Sequence, residues 1–384
     1  MTDWQEVSFL DVCDIEGGTQ PPKDTFRYEP TEGYVRMLQI QDFKTDEKPV
    51  YIPQKTRMKT CTEEDVLIAR YGASLGRILK GKAGAYNVAL VKTIPDLDLI
   101  DRSFLFQLLS GIRFQRFLAN VGSRAAQAGF NKGDLKRFRF PLPPLDEQKR
   151  IAEVLDRAEA LRARRRAALA LLDELTQSIF LDMFGDPVTN PKDWPTVKIG
   201  EVCETTQGVQ IAKADQLTEP TVGYKRYLYI KDFYSDDTQI FVKDQYPAKE
   251  VTINDLVMNN TGNSSGRVSR GKPGILSNNL FKVSFDNQRV RPDFLFHFLS
   301  STAFQLLLWE QMKSGTQPHL GHAMIKRQTL PIPSAKLQRE FESRLAKLRE
   351  VVSIHTESLA LLNSLFSVLQ SKAFRGELSS EVAV

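Results

Sequence analysis

Residues 141–152 read Pro-Leu-Pro-Pro-Leu-Asp-Glu-Gln-Lys-Arg-Ile-Ala. They close a proline-marked strand and open a stretch, about residues 146–183, that contains neither proline nor glycine. Because proline interrupts regular backbone pairing, the change in composition marks a boundary, and the uninterrupted stretch predicts one long helix. About 38 residues at ~1.5 Å each correspond to a rod of roughly 57 Å.

Apolar side chains recur along this predicted helix in steps of three and four residues, which is the period of a coiled coil. The predicted seam consists of Ile151, Leu155, Ala158, Leu169, Leu172 and Ile179. A second stretch, about residues 336–373, has the same spacing at Phe341, Leu345, Leu348, Leu359, Leu362 and Leu369. A long rod with one apolar seam needs a partner helix, so we expect the two helices to pack against each other in antiparallel orientation.

The chain is an internal repeat with an offset of 190 residues, as Trp4 and Trp194 illustrate. Further matching pairs are Cys13 and Cys203, Asp65 and Asp255, Gly76-Arg77 and Gly266-Arg267, and Pro141 and Pro331. An offset that holds over most of the chain implies one structural unit used twice. The two copies are expected to be related by an approximate two-fold axis.

Each repeat begins with a part that mixes strand and helix patterns. Short β-like runs (35–40 and 227–230) and glycine turns come first. An apolar helical stretch follows (103–118 and 293–309). We therefore predict an α+β fold with two tandem mixed α/β recognition domains, separated by two long antiparallel coiled-coil helices and related by pseudo-two-fold symmetry. The predicted segments are 1–144 for the first recognition domain, 145–187 for the central helix, 188–333 for the second recognition domain and 334–384 for the C-terminal helix.

Composition narrows the class of protein. Lysine and arginine number 52 against 47 acidic residues in 384, with a pI of about 8.9, which is compatible with a nucleic-acid partner without requiring one. The three cysteines have neither metal-ligand spacing nor the number for a disulfide framework, and Cys13 and Cys203 are interpreted as core residues. Neither a signal peptide nor an apolar run of ~20 residues is evident, so we expect a cytoplasmic protein without a membrane partner.

Signatures of catalysis are incomplete. Residues 76–82 read G-x-x-x-x-G-K, but Ala83 follows where a P-loop needs Ser or Thr for Mg²⁺, and the second copy has Pro273 there. His319 and His322 have no nearby cysteines to complete a zinc site. No adenine-methyltransferase motif is found around Asp186-Pro187. We expect no catalytic residue, metal or cofactor in this chain.

Residues of the types that contact DNA recur in both repeats. Residues 70–74 read Arg-Tyr-Gly-Ala-Ser and align with Asn-Thr-Gly-Asn-Ser at 260–264. In both repeats one further residue separates this segment from a Gly-Arg pair, at 76–77 and 266–267. Arginine pairs with guanine, and asparagine or glutamine with adenine, through two hydrogen bonds each. A shared frame with different tips fits two modules that read different half-sites. A plain surface hairpin is the alternative.

A second loop, at 123–127 and 314–317, combines small residues with an amide near Lys132 or Lys326, and fits either DNA contact or a simple polar loop. The candidate DNA-binding residues in both domains are Lys23, Arg70, Tyr71, Ser74, Arg77, Lys82, Arg124, Gln127, Lys132, Lys213, Asn260, Asn263, Ser264, Arg267, Lys272, Gln317, His319 and Lys326.

The chain resembles the specificity subunits of type I restriction–modification systems. The resemblance rests on residues 141–152, on Phe-Leu-Asp-Met-Phe-Gly-Asp at 180–186, which resembles the end of the family's central helix, and on Trp194-Pro195. It extends over the whole chain. The second helix departs from the pattern, because Pro-Ile-Pro-Ser-Ala-Lys-Leu-Gln stands at 331–338.

The resemblance implies a bipartite site on double-stranded DNA and assembly with two adenine-N6 methyltransferase subunits and with restriction subunits. It also implies that S-adenosylmethionine, ATP and Mg²⁺ are used by those partners. Two alternatives remain open. A stand-alone bipartite DNA-binding regulator would purify without a methyltransferase, and a P-loop enzyme would bind ATP as an isolated chain.

If the two predicted helices act as a ruler, inserting one heptad in each should lengthen the preferred DNA spacer by about three base pairs. Seven residues add roughly 10.5 Å, and B-DNA rises ~3.4 Å per base pair. Both half-sites should be retained, while affinity drops because three base pairs also rotate the DNA by roughly 100°. The methylated motif of the variant measures the spacer, and an unchanged spacer in an active complex would contradict the ruler.

Overall fold

The computed structural model describes residues 4–55, 58–122, 129–312 and 318–378. The chain forms two compact units, one comprising Met1–Arg166 with Glu357–Val384 and the other Ala167–Thr356. Each unit contains one mixed domain together with one part of each long helix. The units therefore differ from the predicted linear segments, because both long helices contribute to both units.

The first domain alternates short strands with short helices before the first long helix. Its elements are β1 (Gln5–Ser8), α1 (Phe9–Val12), β2 (Cys13–Gly17), β3 (Tyr34–Leu38), β4 (Val50–Pro53), β5 (Thr60–Cys61), β6 (Leu67–Ala69), β7 (Ile78–Leu79), β8 (Gly84–Tyr86), β9 (Leu90–Pro95), α2 (Arg102–Ser110), α3 (Ile112–Gly122), α4 (Lys132–Leu135), β10 (Arg139–Leu142) and α5 (Leu145–Phe184).

The second domain repeats this order, except that a 3-10 turn (Ile199–Glu201) replaces α1. Its elements are β11 (Thr196–Lys198), β12 (Cys203–Gln207), β13 (Tyr224–Leu228), β14 (Phe241–Lys243), β15 (Glu250–Val251), β16 (Leu256–Asn259), β17 (Val268–Arg270), β18 (Gly274–Leu276), β19 (Leu280–Phe285), α6 (Pro292–Ser300), α7 (Thr302–Met312), α8 (His322–Lys326), β20 (Thr329–Pro331) and α9 (Ala335–Ala373).

Strand pairing is identical in the two domains. The first contains sheets of order β2-β9-β6-β7 and β4-β3-β8-β5 and the pair β1-β10, and the second has β12-β19-β16-β17, β14-β13-β18-β15 and β11-β20. Only the β3–β8 and β13–β18 pairings are parallel among these strands. The internal repeat predicted from the sequence is therefore confirmed at the level of topology.

The core of each domain lies between a sheet and its two helices. Phe104 and Phe114 are fully buried in the first domain, as are Phe294 and Phe304 in the second. Each predicted helical stretch is in fact two helices, because the backbone is extended at Gly111 and at Ser301. The break turns the second helix so that its apolar side chains reach the same core.

The three cysteines are buried and free, as the core interpretation of Cys13 and Cys203 requires. Burial raises the pKa of the Cys13 and Cys203 thiols to about 12. Burial likewise raises the pKa of Cys61 to about 11. Thiols with raised pKa values are poor nucleophiles at neutral pH.

The segment suggestive of a P-loop forms a hairpin. Ile78 and Leu79 within it make up β7, which pairs with β6, and the next element is strand β8. A P-loop would instead lead from a strand into the N-terminus of a helix. The nucleotide-binding alternative is therefore incompatible with this part of the fold.

The predicted seam residues of α5 and α9 are all at least half-buried, and they fall into two groups by location. Those near the domains join the domain cores: Ile151, Leu155 and Leu369 in the first unit, and Ile179, Phe341 and Leu345 in the second. The remaining seam residues, Ala158, Leu169, Leu172, Leu348, Leu359 and Leu362, are half-buried along the helices.

The two long helices lie beside each other in each unit. In the first, Arg162 Nε donates to Asn363 Oδ1 at 2.8 Å, and its guanidinium lies 4.4 Å from the centroid of the Phe366 ring. In the second, Leu172 and Leu348 line the same cavity. The long helices therefore lie beside each other within each unit, and in the second unit the predicted seam residues Leu172 and Leu348 face the same space.

Among the described helices, α9 alone has the length and apolar character of a membrane span, with a mean hydropathy of 1.3 over 18 residues. This differs from the sequence-based expectation, which considered only uninterrupted apolar runs. The apolar residues at both ends of α9 belong to domain cores, for example Phe341 and Leu369. Its exposed apolar residues, from Val351 to Val368, lie between these two ends.

A buried glutamine joins each long helix to its domain. Gln148, in the first turn of α5, is fully buried. Its Oε1 accepts from the backbone N–H of Asp101 at 2.8 Å, and its Nε2 donates to the carbonyl oxygens of Leu99 and Pro143 at 2.9 and 2.8 Å. The amide therefore pairs with backbone groups both in the loop before α2 and in the proline segment that precedes α5.

Gln338 repeats this junction at the start of α9. Its Oε1 accepts from the N–H of Arg291 at 2.8 Å, and its Nε2 donates to the carbonyl oxygens of Arg289 and Pro333 at 3.2 and 2.8 Å. The glutamine is retained although the surrounding motif differs between the two helices. Both junctions therefore use the same buried amide.

Replacing Gln148 with leucine should destabilise the protein by at least about 2 kcal/mol, because one buried N–H and two carbonyl oxygens would lose their partner. Denaturant unfolding of the full chain measures the effect. Gln177→Leu is the matched control, since Gln177 is exposed on the same helix, and its stability should stay within about 0.5 kcal/mol of the wild type. Equal stability of Gln148→Leu and the control would show that the junction is dispensable.

Candidate nucleic-acid interface

The tip loop of each domain, residues 70–77 or 260–267, lies beside the residues that follow the second predicted loop. The second loops themselves, 123–127 and 314–317, lie outside the described residues, and 129–131 and 318–321 are the described residues that follow them. Tyr71 pairs with Gly129, and Thr261 pairs with His319, through isolated antiparallel β-bridges. Each domain thus brings its tip loop next to the residues that follow the second loop, an association that the sequence alone did not predict.

The backbone of the tip loop is shaped by a glycine with a positive φ angle and is held by a hydrogen bond from a helix side chain. Gly72 and Gly262 have positive φ angles of 69° and 79°, which favour glycine. Gln115 Nε2, from α3, donates to the carbonyl oxygen of Gly76 at 2.9 Å, and Gln305 does the same for Gly266 at 2.8 Å. The shared glycines therefore serve the loop frame, leaving the tips free to differ.

Arg70 connects the tip loop of the first domain to the residues that follow the second loop. Its Nε donates to the carbonyl oxygen of Phe130 at 2.9 Å, and its guanidinium lies 5.1 Å from the centroid of the Tyr71 ring. Arg70 is half-buried, whereas Tyr71 is exposed. Ser74 and Arg77, in the same loop, are half-buried. The first domain therefore presents an arginine and a tyrosine together at its tip.

Asn260, the matching residue in the second domain, is buried, with 3% of its surface exposed. Its Nδ2 donates to the carbonyl oxygen of Asn278 at 3.3 Å, and its Oδ1 is buried without a hydrogen-bond partner among the described residues. This position corrects the expectation of an exposed base reader. Asn260 instead holds the tip loop from within.

The exposed residues of the second tip loop are Asn263 and Arg267. The Arg267 guanidinium lies 5.0 Å from the centroid of the Tyr234 ring, which is itself exposed. Ser264 is half-buried and its hydroxyl accepts from Asn259 Nδ2 at 2.9 Å. The second domain therefore presents an asparagine and a stacked arginine, in a geometry different from that of the first domain.

Lys82 lies in an ion-pair network rather than free on the surface. Arg36 Nη2 donates to Asp42 at 2.8 Å and to Asp46 at 2.9 Å, and Lys82 Nζ donates to Asp46 at 2.6 Å. Lys82 and Arg36 hold the pKa of Asp46 below its ordinary value. The same network recurs at Arg226, Asp232, Asp236 and Lys272.

Two further candidate lysines have acidic neighbours. Lys132 Nζ lies 2.6 Å from Asp14, and Lys326 Nζ lies 2.7 Å from Glu204, so that each lysine lowers the pKa of its carboxyl partner. Lys23 and Lys213 are exposed in single 3-10 turns at matching positions. We expect Lys23 and Lys213 to contribute most to phosphate contact, because the other four lysines have their charges offset within the protein.

Three candidates, Arg124, Gln127 and Gln317, lie outside the described residues. His319 is exposed beside the tip loop of the second domain. The described part of the chain contains no group of three His, Cys, Asp or Glu side chains that could hold a metal ion.

Sequence reasoning missed a turn, residues 277–279 between β18 and β19, that lies beside the second tip loop. The backbone N–H of Asn260 donates to the carbonyl oxygen of Asn279 at 3.1 Å. Gln207, at the end of β12, donates to the carbonyl oxygen of Asn278. The matching residues of the first domain are Val88 and Gly17, so the repeat shows no shared polar motif there.

The sequence matches the family described as the type I restriction modification DNA specificity domain, over residues 1–170 and 191–364. The two matched segments cover both repeats, including much of each long helix.

Two curated relatives are similar in sequence to this chain over nearly its whole length. The type I restriction enzyme MjaVIII specificity subunit of Methanocaldococcus jannaschii is 21% identical, with 92% of this chain and 87% of the relative covered. The EcoBI specificity subunit of Escherichia coli is 23% identical, with 98% and 87% covered.

A solved structure shares the fold. The S subunit of a type I restriction–modification system from M. genitalium superposes with a TM-score of 0.58 at 16% identity, covering 97% of this chain and 96% of the other. The repeated topology, the paired loops and the family match over both repeats lead to one conclusion: this chain belongs to the type I restriction–modification DNA specificity family.

Proposed function

We propose that this protein reads a bipartite site on double-stranded DNA, with each mixed domain contacting one half-site. The observation that carries the proposal is the combination of identical strand topology with different exposed tips. Arg70 and Tyr71 stand at one tip, and Asn263 and Arg267 at the other. Identical scaffolds with different tips are what two modules need in order to read different sequences in equivalent ways.

Recognition divides into positioning and base reading. Lys23 and Lys213 would contact phosphates and set the register of each domain on the duplex. The tip residues would contact base edges in the major groove, where arginine favours guanine and asparagine favours adenine. The two domains should therefore have unlike half-sites, and the complete site should be asymmetric.

The long helices provide surfaces for partner subunits. In the second unit, Leu171 (64% exposed) and Leu175 on α5 and Val351 and Ile354 on α9 are exposed. The repeat places Leu361 (72% exposed), Leu365 and Leu161 at matching positions in the first unit. Exposed apolar patches of this kind mark protein-docking surfaces. Two equivalent patches on one chain can recruit two copies of the same partner.

We infer that the partners are two adenine-N6 methyltransferase subunits, joined by restriction subunits in the cytoplasm. S-adenosylmethionine, ATP and Mg²⁺ would then be bound by those subunits, and this chain would contribute recognition rather than chemistry. A methyltransferase positioned over each half-site could flip its target adenine out of the duplex. The competing proposal, a stand-alone bipartite regulator, predicts a protein that purifies without a methyltransferase.

Exchanging residues 195–333 for the same region of a relative with a different target should change one half-site and leave the other intact. The physical reason is that each domain has its own sheets and its own tip loops. Methylome sequencing of cells that carry the exchanged protein measures both half-sites. A change in both halves, with the protein folded and active, would contradict modular reading.

Replacing Leu171 and Leu175 together with glutamate should reduce the number of bound methyltransferase subunits from two to one, because the charges would disrupt only the patch of the second unit. Native mass spectrometry of the copurified complex counts the subunits. Ile253→Glu is the control, since Ile253 is exposed elsewhere in the same unit. Two bound subunits in the double variant would show that this patch is not the docking surface.

A further inference from the structure

The turn at residues 277–279 presents two exposed amides, Asn278 and Asn279, beside the tip loop of the second domain. Ser277 is buried at the base of the turn, and its carbonyl oxygen accepts from the N–H of Leu280 at 3.0 Å. Among the described residues, the Asn278 side chain makes one long contact, from Nδ2 to Gln210 Oε1 at 3.5 Å. It therefore retains hydrogen-bonding capacity as both donor and acceptor.

Two side-chain amides converge on the backbone of this turn. The carbonyl oxygen of Asn278 accepts from Gln207 Nε2 and, at 3.3 Å, from Asn260 Nδ2. The carbonyl oxygen of Asn279 accepts from the backbone N–H of Asn260 at 3.1 Å. The turn is thus attached to both β12 and the tip loop. Such attachment holds the Asn278 backbone in place while its side chain stays exposed.

The Gln207 amide is itself oriented by His322. The His322 ring places Nε2 at 2.7 Å from Gln207 Oε1, which can only accept, so Nε2 carries the hydrogen. Nδ1 lies 2.7 Å from Thr205 Oγ1. Burial, together with the positive charge of Lys326, lowers the pKa of His322, so the ring is neutral and Nδ1 accepts from the hydroxyl. These two hydrogen bonds, from Thr205 to His322 and from His322 to Gln207, orient the Gln207 amide so that its Nε2 faces the turn.

The space around the turn also restricts its movement. A Cβ atom at Gly208 would lie 2.0 Å from the carbonyl oxygen of Ser277, so the backbone after β12 packs directly against the turn. The N–H of Gly208 donates to the carbonyl oxygen of Leu280 at 2.9 Å. The neighbouring strand end therefore supports the turn through backbone as well as side-chain contacts.

The first domain has the same turn without these amides. The residues that match Thr205, Gln207, Asn278 and His322 are Ile15, Gly17, Val88 and Lys132. Lys132 pairs with Asp14 instead, and the Arg70 side chain bonds to Phe130 rather than to the turn. The supported amide is therefore specific to the second domain, as expected for a feature that serves one half-site only.

We propose that Asn278 is a specificity-determining residue of the second domain that reads an adenine through two hydrogen bonds, with Gln207 and His322 as its positioning residues. An asparagine amide matches the N6 donor and N7 acceptor of adenine in the major groove. The assignment rests on the proposed function, because it requires that this surface face DNA. It adds a base-reading segment to the tip loops.

The test is a binding selection with the full-length protein and any methyltransferase that copurifies with it. DNA randomised in both half-sites is bound, recovered and sequenced. The wild type tests the proposed function by yielding a two-part motif, and the variants then test Asn278 against that motif. Asn254→Ala is the matched control, because Asn254 is an exposed asparagine at the opposite end of β16 from the tip loop.

Asn278→Ala should reduce the preference for adenine at one position of one half-site by about tenfold to a hundredfold, while the other half-site and the control stay unchanged. Asn278→Asp should shift that position toward cytosine, since a carboxylate accepts from N4. An unchanged motif in Asn278→Ala, or an equal loss of affinity for all sequences, would overturn the assignment.

Gln207→Ala should weaken the preference at the same position, with little further effect when it is combined with Asn278→Ala. A purely structural role for Gln207 would instead lower the melting temperature and act additively on all sequences. Additive behaviour of the two substitutions would remove Gln207 from the proposal.

Discussion

The structure depends on one repeated interaction, the buried glutamine amide at the start of each long helix. Gln148 and Gln338 each pair with one N–H and two carbonyl oxygens at the point where domain and helix meet. An amide can satisfy a donor and two acceptors simultaneously, which an apolar residue cannot do and which a charged residue could do only at a large desolvation cost. The direction in which each helix leaves its domain follows from this geometry.

Within each domain, the scaffold is separated from the parts that differ. The network of Arg36, Asp42 and Lys82 is reproduced residue by residue at Arg226, Asp232 and Lys272, and the loop-anchoring glutamines Gln115 and Gln305 also correspond. These groups are held by other protein atoms, so they maintain shape. The tips and the turns at 87–89 and 277–279 differ between the domains, and outward side chains such as Tyr71, Asn263 and Asn278 are exposed.

The charged side chains also divide into those paired within the protein and those left exposed. A net charge of +5 suggests a modest attraction to nucleic acid, yet several cations in the candidate regions are paired with carboxylates, including Lys132 with Asp14 and Lys326 with Glu204. The charge available to DNA is therefore smaller and more localised than composition indicates. Specific hydrogen bonding by the exposed amides and arginines consequently gains importance relative to general phosphate attraction.

The sequence by itself determined the repeat, the two long helices, their seams and the family, because periodicity and a constant offset are properties of residue order. It also placed Arg70 and Asn260 in equivalent loops. Only the tertiary structure decided that Asn260 is buried, that four of the six candidate lysines are paired with acidic residues, and that Gln207, His322 and Asn278 meet. Those outcomes depend on contacts between residues as far apart as Thr205 in β12 and His322 in α8, which the fold brings together and which no local pattern encodes.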